Sequence, residues 1–195
     1  MRGGFVEFGK VVMAGVMAGL IVGIISSLII LVLETGGFLI NTVGTVCFCL
    51  TPFTCLIGTA LNIFVFAIAG IASLVAGVYA AKRIAAFSVP EDMLVGGGVS
   101  GLASGIMVAL GATIVTIIYP IVSAIIQFLI QLMGFAGAQK KDILSLIIGV
   151  GWNAIVMGVG WIIFATIVFF VAGIILGLVG GLIGSFIFKA SGASK

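Results

Sequence analysis

Few side chains in this 195-residue sequence are equipped for chemistry, and they are scattered. Cys47, Cys49 and Cys55 flank Thr51-Pro52. Two thiols brought together by a Pro turn can oxidise, most easily Cys47 or Cys49 with Cys55. In an apolar stretch the same residues also serve as small inert hydrophobes, so oxidised and unpaired cysteines are both open. Three sulfurs without a histidine or a fourth cysteine do not complete a tetrahedral set, and no metal ligand is assigned. Ser123, Gln127 and Gln131 recur at every fourth position, a narrow polar stripe on an otherwise apolar helix. Such amides can dock on a partner helix, lie at a membrane interface or line a cavity. Glu34 closes the first apolar run, where a carboxylate reaches lipid headgroups; deeper in a span it would mark an ion or proton site. Glu91 and Asp92 follow Pro90 and complement the dipole of a helix starting there. Asn62 and Asn153, in IGTALN and IGVGWN, are candidates for hydrogen bonds between helices.

The chain contains no histidine, which removes the commonest general base and metal ligand and any Ser-His-Asp or Cys-His nucleophile. No catalytic residue and no cofactor is expected, and the chain reads as a non-enzyme.

The elements that carry these residues are set by composition. Hydrophobic residues make up 63% and charged residues 7% of the chain, with a mean hydropathy of +1.53. A soluble domain carries about 25% charged residues, so this is the composition of an integral membrane protein. A net charge of +3 without any basic run excludes nucleic acid as a partner. The charges fall into islands: Arg2, Glu7 and Lys10; Glu34; Lys82, Arg83, Glu91 and Asp92; Lys140, Lys141 and Asp142; Lys189 and Lys195. Between them the sequence predicts four transmembrane helices, about 11–33, 57–81, 94–119 and 161–188. The uncleaved first run is kept as a mature span, since it exceeds the length of a signal h-region. Placing both termini in the cytoplasm puts six of the eight Lys and Arg residues inside, the favoured orientation for a multi-pass protein of the cell membrane.

Glycine positions suggest how the spans pack. Gly97, Gly101 and Gly105 leave one helix face without side chains, a liability in water but a packing surface in lipid. Comparable faces are Gly15, Gly19 and Gly23, then Ala69, Ser73 and Gly77, then Gly173, Gly177 and Gly181. GVMAGLIVGI at 15–24 aligns with GGVSGLASGI at 97–106, and VFAIAGI at 65–71 with VFFVAGI at 168–174. The expected architecture is therefore all-α, with two parallel tandem helix-hairpin repeats, 1–89 and 90–195, forming a single membrane domain. An even number of spans per repeat implies an axis along the membrane normal between them. The small-residue faces sit toward one end, so the bundle should be tight there and splayed at the other.

The splayed end holds surplus apolar sequence. Gly36–Ala81 and Ile143–Phe188 are each 46 residues without a charge, and one helix of that length would measure ~69 Å. Breaks are expected at Thr51-Pro52 and among Gly149, Gly151, Gly158 and Gly160. They would leave 35–56 and 120–160 as extracytoplasmic interfacial, re-entrant or protruding segments. The functional expectation is a structural or accessory subunit that assembles through its small-residue faces with itself or other membrane subunits, in contact with lipid. The alternative is an oligomeric ion channel or small transporter with Ser123, Gln127 and Gln131 in its lining.

Overall fold

The computed structural model describes residues 2–46, 51–86, 90–132 and 143–192. Among them the chain is all-helical: α1 (Arg2–Val46), α2 (Thr51–Ile84), α3 (Pro90–Leu132) and α4 (Ile143–Gly192). Each contains a stretch long and apolar enough to cross a membrane: Phe8–Ile40, Ile63–Ile84, Glu91–Tyr119 and Thr166–Phe188. Helix is the state these runs favour in lipid, because it alone satisfies the backbone within one segment. Pro90 opens α3, where its missing N–H costs nothing. Glu91 and Asp92 lie in the first turn of α3, and Lys82 and Arg83 in the last turn of α2, each charge matched to its helix end.

The helices are longer than the sequence suggested. α1 has 45 residues and α4 has 50. At 1.5 Å per residue these are ~68 and ~75 Å, more than twice the ~30 Å of bilayer hydrocarbon. The break expected among Gly149–Gly160 is absent, and α4 runs through it. The break expected at Thr51-Pro52 falls where α2 begins, with Pro52 in its first turn. Segments 35–56 and 120–160 are therefore, among the described residues, continuations of the four helices and not separate re-entrant pieces. The reason is a balance of magnitudes. A glycine costs a helix about 1 kcal/mol, whereas a backbone group left unpaired among apolar neighbours costs several.

Each of α1 and α4 packs on both α2 and α3; α2 touches α3 across the middle, and α1 does not touch α4. Gly15, Gly19 and Gly23 meet Val99, Ala103 and Met107 in ascending order, so α1 and α3 run parallel. Gly97, Gly101 and Gly105 meet Gly181, Gly177 and Phe169 in descending order, so α3 and α4 run antiparallel. α2 and α4 run parallel, with Phe66 stacked on Phe169 at 5.7 Å and Gly77 beside Gly180.

The symmetry this implies differs from an axis along the membrane normal. A two-fold exchanging the hairpins would make the α1–α4 relation equal to the α2–α3 relation. Among the described residues only the second pair touches. The hairpins instead lie side by side, α1 beside α3 and α2 beside α4. Positions level with one another are then 80 to 84 residues apart between α1 and α3, as for Ser27 with Met107 and Thr35 with Tyr119.

Among the described side chains, burial is confined to one part of the bundle. One cluster near the charged end joins Val11, Ala18, Ala80, Ala81, Ile84 and Met93. A second, further along, joins Ile30, Val65, Val108, Ala112 and Phe169 with their alanine neighbours. Beyond it the described side chains are largely exposed, among them Phe53 at 68%, Leu56 at 72% and Trp152 at 66%.

Candidate functional site: the glycine-packed half

Between the two core clusters the helices meet backbone to backbone. A Cβ placed on Gly15 would stand 2.7 Å from the Gly96 carbonyl oxygen, and one on Gly23 2.8 Å from Met107 Cβ. Gly19 is tighter still, against the Ser100 carbonyl. Across α3 and α4, a Cβ on Gly97 would lie 2.6 Å from the Gly177 oxygen, and one on Gly173 2.6 Å from the Gly101 oxygen. Gly105 abuts the Phe169 carbonyl, and Gly181 stands 2.6 Å from that of Met93 by the same measure. Gly77 abuts the Gly177 carbonyl, while Ala69 and Ser73 are buried nearby on α2. Such approaches are open only to residues without side chains. They bring Cα–H groups onto carbonyl oxygens across the interface, and they lose no side-chain entropy on packing.

The aligned glycine faces have different partners. That of α1 lies on α3, whereas that of α3 lies on α4. α3 meets both demands by being small on two sides: Gly97, Gly101 and Gly105 toward α4, and Gly96, Ser100, Ala103 and Ser104 toward α1. It is the hub of the bundle.

Hydroxyls supply the polar contacts. Ser27 Oγ donates to the Met107 carbonyl at 2.7 Å, joining α1 to α3. Ser73, Ser100 and Ser185 turn back on their own helices, donating to the carbonyls of Ala69, Gly97 and Leu182. Ser104 is fully buried, and its Oγ has no hydrogen-bond partner among the described residues. One level further along, Tyr119 OH donates to Thr35 Oγ1 at 2.7 Å, Thr35 donates to the Leu31 carbonyl, and Phe38 stacks on Tyr119 at 4.6 Å. Glu34 stands beside this group, within α1.

A cavity of about 100 Å³ lies between α2, α3 and α4, lined by Phe66, Ser73, Gly105, Val108, Phe169 and Leu176 among others. Its wall is almost wholly apolar, and the Ser73 hydroxyl is engaged with Ala69. That space suits a few carbon atoms.

The remaining candidate residues are placed less fully. Cys47 and Cys49 lie outside the described residues; Cys55 is in α2, and its side chain is not described. Ser123, Gln127 and Gln131 lie on α3, and Asn62 and Asn153 on α2 and α4, again without described side chains. The small residues Ser27, Ser100, Ser104, Gly180 and Gly184 were not singled out from the sequence. Ser100 and Ser104 carry a readable signal, a second four-residue period one position before Gly101 and Gly105. Compared with protein-family models, curated proteins and solved structures, the chain matches none.

Proposed function

We propose that this chain is a non-enzymatic structural or accessory subunit of a membrane assembly, held rigid at one half and offering its long apolar arms to partners. The observation that carries the reading is the distribution of glycine contacts. The faces at Gly15–Gly23, Gly97–Gly105 and Gly173–Gly181 are occupied within the chain, so assembly falls to other surfaces. Gly149 and Gly160 on the far part of α4 have open space where a Cβ would stand. With Trp152, Val156 and Ile163, all exposed, they form one stripe at helical spacing. A membrane partner, another copy or another subunit, would seat against such a stripe. The duplication of two hairpins and the placement of both termini in the cytoplasm of a cell membrane belong to the same proposal. It is supported by the level pairing of aligned positions such as Phe66 with Phe169 and by the Lys and Arg bias.

α2 touches α3 across the bundle and the cavity beside that contact is small and apolar, so in this reading a transport path would run between chains. Native mass spectrometry in mild detergent and ion flux in liposomes separate the readings. Co-purification at fixed stoichiometry with silent liposomes supports the subunit. A symmetric ring of this chain alone that passes ions refutes it.

A further inference from the structure

At the charged end a groove of about 420 Å³ opens between α1 and α2, lined by Lys10, Met13, Ala14, Met17 and Arg83. We propose that it binds an anionic phospholipid, with the headgroup phosphate on Lys10 and Arg83 and an acyl chain along Met13, Ala14 and Met17.

The sequence places two cations at one level. Lys10 is near the start of α1, and Arg83 is in the last turn of α2, which runs back toward it. On α1, positions 10, 13, 14 and 17 share one face. The face descends ~10 Å from the cation into the apolar run. That is the geometry of a lipid, charge at the rim and chain below. Met13 is 68% exposed and Met17 45%, and their unbranched, adaptable side chains suit a disordered chain. Ala14 packs on the buried cluster of Val11, Ala18 and Ile84, and its small side chain keeps the groove open.

Arg83 is already oriented. Its Nη2 donates to Tyr79 OH at 3.0 Å, and the guanidinium carbon stands 5.0 Å from the Tyr79 ring centroid. One arm of the fork is thereby held, while the guanidinium's other N–H groups suit bidentate phosphate recognition. Lys10 is exposed and forms no ion pair among the described residues. Basic pockets between helices at a membrane surface are where anionic headgroups bind. A free phosphate would use the same cations but gain nothing from Met13 and Met17, which favours the lipid.

The test uses the full chain, purified in mild detergent and supplied in turn with dioleoyl phosphatidylglycerol, dioleoyl phosphatidylcholine and inorganic phosphate. Retained lipid is read by native mass spectrometry, and thermal stability is followed in parallel. Phosphatidylglycerol should be retained and should raise the melting temperature; phosphatidylcholine and phosphate should do neither. Each cation near an anionic headgroup contributes about a fivefold preference, so the double variant K10Q/R83Q should weaken phosphatidylglycerol binding by roughly thirtyfold. Ala14→Leu, which keeps both cations but fills the groove, should also lose the lipid. Equal retention of both lipids, an unchanged K10Q/R83Q, or stabilisation by phosphate alone would overturn the proposal.

Discussion

Adding one methyl group at Gly101 should destabilise the bundle, although the same change stabilises an ordinary helix. Ala is favoured over Gly in a helix by about 1 kcal/mol. Against this stands the geometry of the interface. A Cβ at Gly101 abuts the Gly173 carbonyl and would sit 2.6 Å from Gly177 Cα. Both neighbours are backbone, so neither can rotate away. Carbon normally approaches a carbonyl oxygen no closer than about 3.3 Å, so α4 must withdraw by roughly 1 Å. A gap of that size forfeits a quarter to a half of each dispersion contact around it, and overpacking in close-packed sites costs about 1–3 kcal/mol. The net for Gly101→Ala is a loss of up to about 2 kcal/mol after the helix-propensity gain. Gly36→Ala is the control: nothing lies within 4 Å of a Cβ there, so only the propensity gain of up to ~1 kcal/mol remains. Equilibrium unfolding in mixed micelles measures both. If the two substitutions shift stability in the same direction, the backbone-to-backbone packing of α3 on α4 is wrong.

Ser104→Ala should be neutral or stabilising, because its buried hydroxyl has no partner among the described residues and an unsatisfied group costs about 1–3 kcal/mol. Ser27→Ala, which removes a 2.7 Å bond to Met107, should cost about 0.6 kcal/mol in the same unfolding assay. Phe169→Ala should cost about 3 kcal/mol or more by enlarging an existing cavity and removing the stack on Phe66; a loss under about 1 kcal/mol would argue against that core. Thr35→Val and Tyr119→Phe should be non-additive in a double-mutant cycle, because they share one hydrogen bond between α1 and α3.

The four spans were legible because each is strongly apolar and has a charge island at one end at least. Helix length was not. From Gly36 to Ala81 no charge marks where lipid ends; a new helix does begin at Thr51-Pro52, but the glycines at 149–160 do not interrupt a helix whose backbone has no better partner. The glycine faces were visible as periods, but a bare face carries no label for its mate. Four such faces can pair in several ways, and that of Gly15, Gly19 and Gly23 meets α3 instead of its hairpin neighbour α2. The buried serines were overlooked because Ser and Gly serve the same end here: Ser100 and Ser104 are small enough for α1 to approach. The cysteine cluster had the most chemistry to offer on paper; of its members only Cys55, in α2, falls within the described residues.

The division of the molecule into a tight half and long arms has a mechanical meaning. Where helices touch through backbone alone there are no side chains to rearrange, so the glycine-packed half acts as a clamp and the far part of α4 as a beam. From Ile143 to Val168 that beam measures ~39 Å. A pivot of ~5° at Phe169 carries Ile143 sideways by ~3 Å, a displacement large enough to make or break a side-chain contact. A partner gripping the tips would act with a long lever on the clamp, and a change in the clamp would be amplified at the tips.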